Sequence, residues 1–436
     1  MKVVIMAGGK GTRIATIKSD VPKPMIEICG KPILEWQIEN LKACGLTDIT
    51  LVIGYLGNVI KDYFGDGSRF GVRITYFVED APLGTAGALF KIPELTEDFL
   101  LMCGDVIIDV DFNRFIEFHK KNKAWASLMT HPNGHPYDSS LLVTEILPPQ
   151  KAGGMPIDTH RVVRWMNKED ERLYYKNRVN AGIEIISPEL LRETKKNFVP
   201  RHPETPDKID LDRDVLKPNI ASGKIFAYDT PEYIKDMGTP DRYYEVEKDV
   251  KSGKVHARNL KNKQKAVFLD RDGTINKYVG FLTKPDQFEL IEGVTDAVRQ
   301  INQSGYLAIV VTNQPVIARG DCTWAELQAI HDKMETELGK AGVFVDGIYV
   351  CPHHPDKGFE GERIEYKFNC DCRKPKTGLL LQAAQDFNID SMQSYMIGDS
   401  DRDIEAGIAV GCKQSIKIET NKNAELKQVI YSRIGQ

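Results

Sequence analysis

The 436 residues suit two or more domains at about 100–200 residues each, and hydrophobic residues at 42% with charged ones at 28% describe a globular, water-soluble chain. A formal net charge of −4 gives no global reason to bind nucleic acid, so any phosphate must be met by local basic loops. No apolar run approaches the ~20 residues of a membrane span, and the opening MKVVIMAGGKG turns polar too early for a secretion signal, so a cytoplasmic location is expected.

In chain order, apolar runs at residues 3–6, 49–53, 74–78 and 99–102 read as strands. Helix-like stretches at 32–44 and 112–122 alternate with them, which predicts βαβ units and a mainly parallel sheet. Runs at 141–146, 162–166 and 179–186 follow closely and predict an added antiparallel portion. Residues 240–262 end in a basic, polar stretch poor in large apolar side chains, expected to be a helix running into an exposed linker. The expected domains are therefore 1–250 and 265–436, joined by a linker at 251–264, each folding on its own. Beyond the linker the α/β pattern restarts with AVFLD, LAIVVTN, DGIYV and SYMIGDS.

The first run breaks into GGKGTR, followed by VPKP. Gly8, Gly9 and Gly11 let backbone N–H groups approach a phosphate, and Arg13 and Lys23 add positive charge there. The spacing is neither a dinucleotide fingerprint nor a P-loop. With APLGTAGAL, MCGDV, VNAGIEIIS and DMGTPDRY in that order, residues 1–245 resemble the sugar-1-phosphate nucleotidyltransferases, the mannose-type and heptose-type guanylyltransferases in particular. The resemblance implies a Rossmann-like domain in which a sugar phosphate oxygen attacks the α-phosphorus of a nucleoside triphosphate, with Mg²⁺ present and pyrophosphate leaving. It implies Gly8, Gly9, Gly11 and Arg13 around the triphosphate, and Lys23 at the reacting phosphates. Gly84, Thr85 and Gly87 are implied beside the nucleoside, Asp105 and Asp236 on Mg²⁺, and Asn180 and Gly182 at the sugar. Where the family carries Glu-Lys-Pro this chain reads Asn167-Lys168-Glu169, leaving Lys168 as the candidate contact to the sugar phosphate. Self-association is common in such transferases and is implied with them.

In AVFLDRDGT, Asp270 and Asp272 follow a buried strand two residues apart, which points both the same way if the strand continues. One carboxylate can attack phosphorus while the other handles the leaving group's proton. Arg373 and Lys374 supply cations, and the acidic GDSDRD segment suits Mg²⁺. Residues 265–420 resemble the haloacid dehalogenase superfamily, with four motifs in order. That resemblance implies Asp270 as nucleophile, Asp272 as general acid and base, and Thr312 and Asn313 on the transferring phosphoryl group. Lys374 then balances charge, and Asp399 holds Mg²⁺ with Asp270 and the Asp272 carbonyl. Asp403 is left to support that shell or to cap the next helix.

In CPHHPDKGF…NCDCRKPKTG, Cys351 and His353 form one ligand pair and Cys370 and Cys372 another. Three cysteines and a histidine so spaced suit a closed, structural zinc site, with His354 as the alternative to His353. This loop, DRDGTIN and TNQ…IARG closely resemble the heptose 1,7-bisphosphate phosphatases, with histidinol-phosphate phosphatase as a zinc-loop relative. Arg319 and Arg373 become candidates for the substrate's second phosphate or sugar. Pro315-Val316 replaces Ser-Gly of the relatives, and Ser400 stands where they often carry Lys. The expected whole is a bifunctional enzyme of nucleotide-activated heptose synthesis, with GTP and the α-anomer implied by family analogy. A histidinol-phosphate or other sugar-bisphosphate phosphatase, joined to a transferase of other specificity or to a regulatory nucleotide-sugar-binding domain, is the alternative.

Overall fold

The computed structural model describes residues 1–8, 21–201, 203–358 and 360–434. The N-terminal half is built on a nine-stranded sheet of β1 (Lys2–Met6), β4 (Asp48–Ile53), β5 (Arg73–Val78), β6 (Phe99–Cys103), β8 (Ala126–His131), β9 (Leu141–Leu147), β10 (Ile157–Met166), β11 (Val179–Ile186) and β12 (Ile225–Asp229). Two small ribbons, β2 (Glu27–Ile28) with β3 (Lys31–Pro32) and β7 (Val106–Asp109) with β13 (Tyr233–Asp236), lie beside it. The order is β5-β4-β1-β6-β11-β8-β12-β10-β9. The first four strands are parallel, β11 inserts antiparallel between β6 and β8, and β9 and β10 form the antiparallel edge.

Val3, Ile5, Leu51 and Met102 point to one face, against α1 (Ile33–Ala43), α2 (Gly57–Phe64) and α3 (Phe112–Asn122). Val4, Val52 and Leu101 point to the other, under α4 (Pro188–Asn197) and residues 209–216. The period-two alternation of the strands is what lets one sheet feed two cores.

The C-terminal half has a five-stranded, fully parallel sheet in the order β16-β15-β14-β17-β18: Gly347–Cys351, Tyr306–Asn313, Lys265–Leu269, Tyr395–Gly398 and Gln414–Lys417. Helices α7 (Val294–Gln303), α9 (Trp324–Lys340) and α12 (Glu425–Ile434) cover one face, α10 (Gly378–Asp386) and α11 (Asp401–Ala409) the other, and the short α8 (Val316–Arg319) follows β15. Both halves are therefore α/β, with Rossmann-like layering. The carboxyl ends of their parallel strands, where such sheets place their chemistry, carry Asp105 in one and Asp270, Asn313 and Asp399 in the other.

The junction departs from expectation. Helix α5 (Pro240–Lys251) is followed by α6 (Lys254–Ala257), and Val255, Arg258, Asn259, Leu260 and Gln264 are all buried. The Leu260 N–H donates to Glu232 at 2.8 Å, and Arg258 pairs with Asp346 at 3.0 Å. The polar side chains that read as an exposed linker find partners on both halves, so the segment is a wedge between them. Direct contacts add to it. Tyr175 N–H donates to Thr336 Oγ1 at 3.0 Å, and Arg114 donates to the Asp386 carbonyl at 3.0 Å.

Candidate functional sites

A cavity of about 820 Å³ opens at the ends of β1 and β6, and Thr85, Asp105, Asn180, Gly182 and Asp236 line it. Lys23, the lysine of VPKP, reaches it and forms an ion pair with Asp105. Asp236 accepts two bonds from Arg242, at 2.6 and 2.8 Å, and one from the Gly238 N–H at 2.9 Å. Burial works to raise the Asp236 pKa, but the Arg242 hydrogen bonds and charge outweigh it and hold the carboxyl below its usual value. The two aspartates expected to hold Mg²⁺ share one cavity, Asp105 beside Lys23 and Asp236 beside Arg242.

Gly182 sits at φ +68°, with its N–H 3.3 Å from Asn180 Oδ1. Gly84 and Gly87 have a packing reason of their own: a Cβ would lie 2.4 Å from the Ile209 carbonyl oxygen at Gly84 and 2.3 Å from that of Asp207 at Gly87. Thr85 Oγ1 accepts the Leu211 N–H at 2.7 Å, which fixes the wall of the cavity. A Cβ on Gly8 would meet Glu79 Oε2 at 2.8 Å. Gly9, Gly11 and Arg13 lie outside the described residues.

Lys168 is not brought to the cavity wall; its exposed ammonium lies 3.9 Å from Glu169. Among the lining carboxyls not singled out from the sequence, Glu184 and Asp212 stand close to the expected nucleotide and sugar contacts Thr85 and Asn180 along the chain or wall. Burial raises both pKa values, Asp212 to about 6 with Asp210 adding to it, and Glu184 well above the usual range with Asp212 adding to it. A glutamate inside the apolar run IEII was the available signal, because a charge in a central strand needs a reason.

In the C-terminal half, Asp270 leaves the end of β14 and accepts from Lys374 Nζ at 2.7 Å. Lys374 also reaches Asp403 at 2.6 Å and the Val311 carbonyl at 2.6 Å, and is itself buried. Burial lifts the Asp270 pKa to about 7 against the pull of Lys374. Oxygen atoms of Asp270, Asp399 and Asp403 lie within 4.8 Å of one another. Lys374 stands between Asp270 and Asp403, so Asp270 and Asp399 are the pair open to a cation. Asp403 faces Lys374 and accepts the Ser400 N–H at 3.0 Å at the start of α11.

The Asp272 carboxylate accepts from Arg271 (2.8 Å), Gln314 (2.7 Å) and Asn276 (3.0 Å). Burial opposes ionisation, yet the Arg271 charge and these bonds hold its pKa low. Arg271 is fully buried, with His331 Nε2 at 3.1 Å behind it. Arg271, Asn276, Gln314 and His331 were not singled out from the sequence, although Arg271 lies inside the DRD motif. Thr312 Oγ1 accepts from Gln314 at 2.8 Å. Asn313 clamps Lys374 by its backbone, accepting its N–H and donating to its carbonyl at 3.0 Å each. Gly273, at φ +82°, leaves room for Asp399: a Cβ would lie 2.2 Å from its Oδ2.

The Sγ atoms of Cys351, Cys370 and Cys372 are 3.1–3.5 Å apart, and His353 Nδ1 is 3.2 Å from Cys372 and 3.7 Å from Cys351. Three thiols and one imidazole nitrogen within 4.8 Å fit a single tetrahedral ion. His354 is turned toward Asp356, 3.8 Å away, outside this group. Arg373 donates to the His353 carbonyl at 3.0 Å. Arg319 bonds Asp321 at 2.7 Å and lies over the Phe281 ring.

Residues 2–253 match the nucleotidyl transferase family model, and residues 371–428 match a haloacid-dehalogenase-hydrolase-like model. Over 159 residues, 36% of this chain, the sequence is 45% identical to the D-glycero-beta-D-manno-heptose-1,7-bisphosphate 7-phosphatase of Haemophilus influenzae, covering 83% of that protein. The Escherichia coli K12 protein of the same name is 43% identical over 157 residues, 36% of this chain and 80% of its own. Among solved structures, HddC of Yersinia pseudotuberculosis aligns with a TM-score of 0.45 at 25% identity, over 57% of this chain and 99% of its own.

Proposed function

We propose, for a chain that belongs to the nucleotidyl transferase family and, through its C-terminal half, to the heptose-bisphosphate phosphatases, that its two enzymatic sites act in sequence on one sugar. The phosphatase removes the 7-phosphate of D-glycero-D-manno-heptose 1,7-bisphosphate, and the transferase joins the heptose 1-phosphate to a nucleoside monophosphate, GMP from GTP. The observation that carries this is the presence in one chain of the Asp270–Lys374–Asp399 constellation, the Cys/His cluster of residues 351–372 and the Asp105–Asp236 cavity. Removing the 7-phosphate leaves the 1-phosphate, which is the acceptor a sugar-1-phosphate nucleotidyltransferase needs.

In the phosphatase, an Asp270 oxygen attacks phosphorus and the bond to sugar O7 breaks. Asp272, once protonated, gives its proton to O7. It then takes a proton from the water that attacks the aspartyl phosphate, and phosphate leaves. Lys374 offsets the charge of Asp270, and Arg373 meets the second phosphate or the sugar. Asp270, Asp399 and the Asp272 carbonyl would hold Mg²⁺, which supplies charge neutralisation for the phosphoryl oxygens. Cys351, His353, Cys370 and Cys372 would hold structural Zn²⁺, a use of reduced thiols that fits the cytoplasm.

In the transferase, the sugar phosphate oxygen attacks the α-phosphorus and the bond to the β-phosphate breaks, releasing pyrophosphate. Asp105 and Asp236 would hold Mg²⁺, and Lys23 faces the reacting phosphates. The phosphatase relatives are named for the β-anomer, whereas the guanylyl route implies the α-anomer. The test is to incubate the protein and Mg²⁺ with each anomer plus GTP, ATP, CTP or UTP, following phosphate and pyrophosphate separately. GDP-heptose from the α-anomer supports both assignments. Phosphate without any nucleotide sugar sinks the transferase reading, and phosphate from histidinol phosphate alone sinks the heptose reading.

A further inference from the structure

The group of three cysteines and His353 belongs to the phosphatase half, but one of its supports does not. His353 Nδ1 faces the thiols, and its other nitrogen, Nε2, lies 2.9 Å from the backbone carbonyl of Gly153, two hundred residues earlier in the chain. Gly153 sits in the loop between β9 and β10 of the transferase. An imidazole that gives its Nδ1 lone pair to a metal carries its proton on Nε2, and that proton needs an acceptor. The acceptor fixes the tautomer, the ring's orientation and the ligand's basicity.

The seat is close-fitting. Gly153 has φ +70°, and a Cβ there would lie 2.2 Å from the Glu365 carbonyl oxygen and 2.8 Å from the Phe368 ring. Glu365 and Phe368 belong to the segment between the two ligand pairs, and Phe368 also packs on the His353 ring, 4.4 Å between centroids. The contact continues inward. The His353 carbonyl accepts from Arg373 at 3.0 Å, and Lys374, the next residue, bonds Asp270.

We infer that the transferase hairpin completes the phosphatase's metal loop: the Gly153 carbonyl is a positioning group for His353. Through His353 it sets how firmly the loop keeps its metal and where Arg373 stands. This rests on the metal reading of the cluster given above. It makes the phosphatase's substrate contacts depend on a loop of the other enzyme.

The test uses the full-length chain in three forms: wild type, Gly153→Ala, and a hairpin in which residues 149–155 are replaced by Asn-Gly. Each is loaded with Zn²⁺, and metal content is measured per chain. Zinc release to a chelator is then followed with a chromogenic indicator. Circular dichroism and turnover of p-nitrophenyl phosphate, which has no second phosphate, report the fold and the intact nucleophile. Both variants should release zinc about tenfold faster or more. They should also show a higher KM for the sugar bisphosphate with kcat for p-nitrophenyl phosphate unchanged. Wild-type release rates and KM in folded, zinc-loaded variants would overturn the inference alone. A wild-type chain that binds no zinc would remove the metal reading and this inference with it.

Discussion

Lys374 Nζ lies 2.7 Å from Asp270 and 2.6 Å from Asp403, so one buried ammonium is shared by the proposed nucleophile and a helix-capping carboxylate. The three groups are a unit in which loss of the cation strands two buried anions. Lys374→Met should therefore destabilise the C-terminal half by about 3–5 kcal/mol as well as stop phosphate release. Urea unfolding of the variant checks the first effect. An unchanged midpoint would refute the shared-cation account.

Asp272 and Asp270 differ in environment, and the difference can be read kinetically. Asp272→Asn removes the proposed acid and base, and should slow hydrolysis by about 10²–10⁴-fold while leaving the Asp270–Lys374 pair in place. Asp270→Asn should abolish turnover outright. In both variants pyrophosphate release from GTP and directly supplied heptose 1-phosphate should persist, because the transferase cavity contains neither residue. A parallel loss of pyrophosphate release would contradict the assignment of separate sites.

Gly84→Ala is the corresponding probe of the transferase wall. The residue has φ +80°, and a Cβ would press on the Ile209 carbonyl at 2.4 Å. Strain of this kind costs about 1–3 kcal/mol, and the movement of residues 207–212 should carry Asp212 out of place. Transferase activity should fall with phosphatase activity retained. Equal activities in both assays would show that the wall gives way without consequence.

The domain junction should respond to pH. Burial lifts the carboxyls of Glu335 and Glu232 to about 7, above the unfolded value of about 4.3. Glu335 accepts the Asn177 N–H across the junction, and Glu232 accepts that of Leu260 in the wedge. Folded-state pKa values above the unfolded ones mean that the folded chain holds extra protons. The stability from these two groups is complete below about pH 4.3 and is lost as pH rises through 7. Melting temperature across that window should fall less steeply in Glu335→Gln than in the wild type. Identical slopes would place the titration elsewhere.

Strands, helices and motif positions were legible because they are local: continuous apolar runs in KVVIM or YLAIVVTN, and a carboxylate at the end of such a run. The nine-strand order was not, since β11 enters the parallel block from far along the chain. Asp105 and Asp236 could be named by motif, but the cations beside them differ in kind. Lys23 comes from VPKP and was named there, whereas Arg242 lies within DMGTPDRY but was not singled out from it. The segment at 251–264 was misread because Asn259 and Arg258 bond to Asp109 and Asp346, and the Leu260 N–H to Glu232, all distant in sequence. Composition alone cannot distinguish a polar residue facing water from one facing a buried partner.

That wedge also governs how an intermediate would move. A flexible tether would let the two reaction centres swing toward each other, with the encounter rate set by linker length. Arg258, Asn259 and Gln264 are instead packed into both halves, so the span between the centres is fixed. A sugar phosphate leaving one centre for the other travels a constant path, and lengthening the segment would loosen the seam before it shortened the journey.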